Sequence, residues 1–240
     1  MPAQTEKLQA YAGHLLDAFI ALRERYAMLE PMLFDPATAK TLGSGKRSRG
    51  FFILRQSLFL SCAQDVAKLI LDTDKRTPSI RNIVSALEDD ALRAMFEDEY
   101  ANWVVPSIEE EDDPEIVAAL RRFEEQERLG KREQFREHYL EMRGIWETLS
   151  SSPAVEAFRT VRDKISAHTE IRLVIDKYNR INIDDLGIKW DDLRAIIEQM
   201  QRIVELIGYT IRNASFAWES LDHQLVRAAS DFWDATITEE

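Results

Sequence analysis

Apolar residues recur every three or four positions along almost the whole chain, and that period leaves little room for any fold but a stack of helices. Leu8, Tyr11, Leu15, Phe19 and Leu22 open the pattern, so Thr5 to about Leu29 is predicted to be an amphipathic helix stopped near Pro31. Leu42 to Arg47, with two glycines and a serine, is read as a connector. A mostly apolar, central helix is predicted over Ser48 to Leu71, and Pro78 starts a shorter one through Leu87. Asp90 to Trp103 is predicted to be a short helix followed by a solvated acidic loop. Pro114 to Leu149 is then a long charged helix, with Val117, Leu120, Phe123, Phe135, Tyr139, Met142 and Trp146 on one face and Gly130 as a bend point. Ser151, Ser152 and Pro153 cap a helix running toward Ile175, Asn179 to Gly187 is a loop, and Trp190 to about Phe232 is a final long helix or a bent pair.

Eight Gly and seven Pro in 240 residues are too few for a turn-rich sheet protein, and no strand-like alternation or repeat interrupts the pattern. The expected fold is all-α, an antiparallel helical bundle with long C-terminal helices. The length fits a single domain over residues 1–240. Pattern leaves open whether residues 1–88 form an N-terminal lobe beside a bundle over 114–235.

Cys62, the only cysteine, has no internal partner, which points to a reducing, cytoplasmic setting. The apolar run Phe51 to Cys62 is broken by Arg55 and Gln56 and is too short to span a bilayer, so no membrane association is expected. The net charge of −12 argues against loose attraction to nucleic acid. Residues 89–115, however, hold eleven acids and one Arg, and around residues 159–172 the balance reverses, with Arg159, Arg162, Lys164 and Arg172 against Asp163 and Glu170.

Several patterns fail on inspection. Gly43-Ser44-Gly45-Lys46-Arg47 lacks the first Gly and the closing Ser or Thr of a phosphate loop and is read as a flexible turn. Glu-x-x-His is absent at all four histidines and one Cys cannot build a zinc site, so neither metal nor cofactor is expected. The acidic run Glu109 to Asp113 is read as a solvated loop, and Trp146, Trp190, Trp218 and Trp233 as core packing.

Arg162-Asp163-Lys164-Ile165-Ser166-Ala167-His168 is different. Arg offers a permanently charged planar fork for phosphate oxygens, His exchanges protons near neutral pH, and an adjacent carboxylate can orient either. Composition alone predicts about one chance Arg followed by His four to six residues on, and two exist. The other, Arg132 to His138, looks like a solvated charged helix face; requiring Asn, Asp or His directly after the Arg leaves only the Arg162 copy. On a straight helix Arg162 and His168 flank the packing stripe of Phe158, Val161 and Ile165 from opposite sides, about 120° apart. Their convergence needs the helix to end or bend, or a second chain across the seam. Acid–base cleavage of RNA through its 2′-hydroxyl needs a group to take a proton and another to return one, which favours a homodimer that pools two copies. Judged from residues alone, the competing reading is a satisfied interior His168 and a surface ion pair between Arg162 and Asp163.

This Arg-to-His signature, placed late in an all-helical chain, resembles that of the HEPN superfamily. Leu69-Ile70-Leu71-Asp72, Pro78-Ser79-Ile80-Arg81-Asn82-Ile83 and Ile188-Lys189-Trp190-Asp191-Asp192-Leu193 are similar to its phage abortive-infection branch, Abi-U. The resemblance implies a dimerising helical bundle and a metal-independent endoribonuclease acting as a toxin or antiviral effector. RNA would be its substrate, and an antitoxin or phage-derived trigger its controlling partner. It further implies that Arg162 stabilises the phosphate, His168 acts as acid or base and Asp163 orients its neighbours, while Lys164, Arg159 and Arg172 of the locally basic stretch are the expected substrate-binding residues. Asp163 stands where the family often has Asn. The alternative it carries is a non-catalytic interaction protein, or a nucleotide- or RNA-binding protein with a degenerate site.

Overall fold

A computed structural model describes residues 2–106, 108, 112–166, 171–174, 177–180 and 186–238. Helix α1, Pro2–Phe34, buries Leu8, Ala12, Leu15, Phe19, Leu22, Tyr26, Leu29 and Met32, three or four residues apart, along one side. It runs through Pro31 instead of stopping there. Proline removes one helical hydrogen bond and crowds the preceding turn at a cost of ~3 kcal/mol. Leu29 and Met32, both essentially inaccessible, anchor the chain on either side, and the Asp35 amide closes onto the Pro31 carbonyl.

The Asp35 carboxylate accepts the amides of Ala37 and Thr38 and so starts α2, Pro36–Leu42. The predicted connector is thereby shortened to Gly43, Ser44 and a 3-10 turn over Gly45–Arg47, where Gly45 takes a φ of +65°. Helix α3, Ser48–Leu71, has its predicted limits. Beyond it Ser79 caps α4, Ile80–Ala86, and Asp89 caps α5, Asp90–Tyr100. Asp113 and Pro114 start α6, Pro114–Ser150, which continues unbroken through Gly130.

Helix α7, Pro153–Thr160, is short. In place of a helix continuing toward Ile175, the chain makes a π-helical turn over Val161–Ser166. It then forms an antiparallel hairpin, β1 Ile171–Val174 with β2 Lys177–Arg180, in the register Ile171↔Arg180 to Val174↔Lys177. Ile171, Val174 and Ile175 are β-branched, and such residues lose side-chain freedom in a helix and favour extended chain. The last predicted segment resolves into a pair: α8, Trp190–Arg212, ends at Asn213 in the left-handed region (φ 47°), and α9 follows over Trp218–Thr238.

The hairpin aside, the architecture is all-α. One continuous core extends from Leu8 to Trp218 and joins α1, α3, α4, α5, α6, α7 and α8. The closest packing is α1 on α3, α1 on α8, and α6 on α8. A smaller cluster of Met32, Leu42, Phe51, Ala229 and Trp233 fastens α9 to α1, α2 and the start of α3. Cys62 is fully buried, and burial with the nearby Asp65 pushes its thiol up to about 12, which leaves it inert at neutral pH. No helix among the described residues is long and apolar enough to cross a membrane.

Candidate functional site

The segment singled out by its Arg and His lies where α7 gives way to the π turn. Phe158 and Val161 are wholly inaccessible and Ile165 packs partly against the core, so the predicted stripe is the face that holds this segment to α3. Phe158 meets Phe59 of α3 edge-on at 6.3 Å. With its inner face anchored, the segment presents Arg159, Arg162 and Asp163 along its rim.

Arg162 is 30 % exposed and donates through Nε to Asp163 Oδ1 at 2.6 Å. Arg159 Nε stands 3.7 Å from Asp163 Oδ2, and its guanidinium also meets Glu156 at 3.3 Å. The hydrogen bond and charge of Arg162, then the charge of Arg159, hold the Asp163 carboxyl below the usual carboxylate range against a smaller opposing effect of burial. Asp163 orients the guanidinium through Nε and, among the described residues, no other carboxylate ion-pairs with its two terminal nitrogens. That end is the planar fork that suits a phosphate.

π turns interrupt helices at functional sites more often than elsewhere. This one ends the regular helix on which the 120° separation of Arg162 and His168 depends. His168 itself lies outside the described residues. Lys164 is in the π turn and partly buried. Arg172 belongs to β1, its backbone opposite Asn179, and its side chain is outside the described residues.

Of the other Arg-to-His stretch, Glu133, Gln134, Arg136 and Glu137 are exposed as expected, but its arginines are paired and His138 is packed. Arg132 and Arg136 of α6 are bound to Glu97 and Asp98 of α5, with Arg132 2.6 Å from Asp98 and Arg136 2.7 Å from Glu97. The His138 ring is stacked on Tyr209 of α8 and meets Tyr100 of α5 edge-on. Burial and, next, the charge of Arg202 lower its pKa. A half-buried imidazole locked among aromatic rings is a packing element. Trp190 also departs from expectation: it is 40 % exposed, whereas Trp218 and Trp233 are buried as predicted. Among the described residues no group of three or more His, Cys, Asp or Glu is placed to hold a metal ion.

The family model for AbiU2, of the HEPN type, matches residues 5–232, nearly the whole chain. No curated protein and no solved structure shows a significant match.

Proposed function

Because the chain belongs to the AbiU2 family of HEPN proteins, we propose that it is a metal-independent endoribonuclease acting as an abortive-infection toxin, with the helical chain working as one unit within a homodimer. The observation that supports this most directly is the Arg162 guanidinium held through Nε by Asp163 on the π turn, a hydrogen bond that does not use its two terminal nitrogens.

In this reading the terminal nitrogens of Arg162 bind the non-bridging oxygens of the scissile phosphate and stabilise the charge that grows on them. One imidazole, His168, takes the proton of the RNA 2′-hydroxyl as that oxygen attacks phosphorus. A second, His168 of the other protomer, gives a proton to the departing 5′-oxygen. The products are a 2′,3′-cyclic phosphate and a 5′-hydroxyl. Asp163 is a positioning residue, and Arg159, Lys164 and Arg172 supply positive charge along the RNA backbone.

The test is incubation of structured and unstructured RNA with the protein in excess chelator, beside Arg162→Ala and His168→Ala. Chelator-resistant cleavage that both substitutions abolish is the expected result, with a rate maximum near neutral pH. Equal residual cleavage by all three proteins rejects the reading and leaves a binding role.

A further inference from the structure

From Pro36 to Gln64 the sequence holds Lys40, Lys46, Arg47, Arg49 and Arg55 and not one acidic residue, in a protein whose net charge is −12. The fold gathers these cations around the 3-10 turn and the first two turns of α3, with Lys40, Lys46, Arg47 and Arg49 exposed. Cations at the start of a helix face the positive end of its dipole, an arrangement that costs stability.

The same surface is aromatic. Phe52 is 46 % exposed, Ile53 57 %, Leu54 41 % and Trp190 40 %. The Arg55 guanidinium lies among three rings, 4.8 Å from the centroid of Phe52 and 5.7 Å from those of Phe51 and Trp190, and it has no ion-pair partner among the described residues. Its flat face and undiminished charge are therefore kept in place by the rings. Trp190 in turn packs edge-on against Phe59 at 4.9 Å, and Phe59 against Phe158 of α7 at 6.3 Å. The patch is thus joined through two ring contacts to the segment that carries Arg162.

We propose that this surface is a single-strand RNA platform: Trp190, Arg55 and Phe52 stack unpaired bases while Lys46, Arg49 and their basic neighbours follow the phosphates toward Arg162. Stacking tolerates any base because every base has a π face, and the cations supply a sequence-independent attraction in an otherwise acidic protein. Duplex RNA hides its base faces and would use only the charge. A second copy of the chain fits the patch poorly, since face-to-face association would oppose its five cations to five more. The choice of RNA as ligand rests on the ribonuclease reading; the experiment measures binding alone, so either can fail without the other.

Fluorescence anisotropy with a labelled, unstructured 20-nucleotide RNA and the corresponding duplex would be measured in chelator, on full-length Arg162→Ala protein so that the probe survives. We expect tighter binding of the single strand, about tenfold weaker binding after Trp190→Ala or Phe52→Ala, and near-normal binding for Trp190→Phe. Lys46→Ala with Arg49→Ala should flatten the plot of log affinity against log salt by about 0.7 for each phosphate contact removed. Because Trp190 also supports Phe59, the exposed Phe52 and Lys46/Arg49 variants carry the test if Trp190→Ala proves unstable. Unchanged single-strand affinity in those variants overturns the proposal. So does a Phe52→Ala protein that loses its dimer while binding RNA normally, a result that would make the patch a protein interface.

Discussion

Replacing His138 by Phe should stabilise the protein and should do so increasingly as the pH falls. The His138 ring stacks on Tyr209 with centroids 5.1 Å apart and planes at 24°, and stands edge-on to Tyr100 at 6.2 Å. Its Nδ1 is buried without a hydrogen-bond partner. An unsatisfied buried polar atom costs ~1–3 kcal/mol, and Phe removes that atom while keeping an aromatic pair worth ~0.5–1.5 kcal/mol. The ring as a whole is only half-buried, so the lower end applies: a gain of about 1 kcal/mol at pH 7.5, or roughly 2–4 °C in Tm for a chain of this size. Burial and then Arg202 depress the pKa of His138 in the folded state, against the opposing pull of Glu141, Glu137 and Glu205. The unfolded chain therefore takes up the proton first, and the wild type loses stability as pH falls below about 6.5 toward the folded value. The variant lacks this loss, so the difference between the two should widen from pH 7 to pH 5. Thermal unfolding followed by circular dichroism across that range checks it. A variant less stable than wild type at pH 7.5, or a difference that does not change with pH, refutes the account. Chelator-resistant RNA cleavage should survive His138→Phe, in contrast to His168→Ala.

Asp163→Ala should lower cleavage at least tenfold by releasing Arg162, while stability falls by less than about 1 kcal/mol because Asp163 is 42 % exposed; a large drop in Tm would recast the pair as structural. Since its folded pKa is depressed, the stabilisation Asp163 contributes is present above roughly pH 3.9 and disappears as pH falls through the folded value, so acid unfolding curves of the two proteins should converge there. Phe158→Ala, which empties a wholly inaccessible site between α3 and α7, should cost ~3–5 kcal/mol, a fall of roughly 10 °C in a thermal melt. Asn213→Gly should gain ~0.5 kcal/mol and Asn213→Val lose more than about 1 kcal/mol, because the residue closing α8 has a φ of 47°; equal denaturant midpoints for the two variants would contradict this.

Where periodicity and end signals agree, the sequence predicts its elements closely. Helix α3 has its expected ends, and the stripe of Phe158, Val161 and Ile165 faces the core as expected. The misses share one cause, which is that local signals compete with contacts made far along the chain. Pro31 reads as a stop, yet burial of Leu29 and Met32 carries the helix past it. The helix extended on paper to Ile175 gives way to a π turn and a hairpin, and the cluster Ile171, Val174 and Ile175 was the available sign of it. Trp190 sits on an apolar face as spacing implies, but its packing on Phe59 and Arg55 leaves the ring partly open. His138 looked solvated because a helix wheel does not reveal which neighbouring helix covers it.

By itself the sequence determined the helical class, the family, and the residue types gathered at Arg162, Asp163 and His168, because period and chemistry are properties of neighbours along the chain. Tertiary structure alone decided that His138 is locked in aromatic packing, how Asp163 turns Arg162, and that a basic segment and a tryptophan more than a hundred residues apart share one surface. The reason is that burial, stacking and charge pairing depend on what lies across an interface, and that is settled only when distant helices meet.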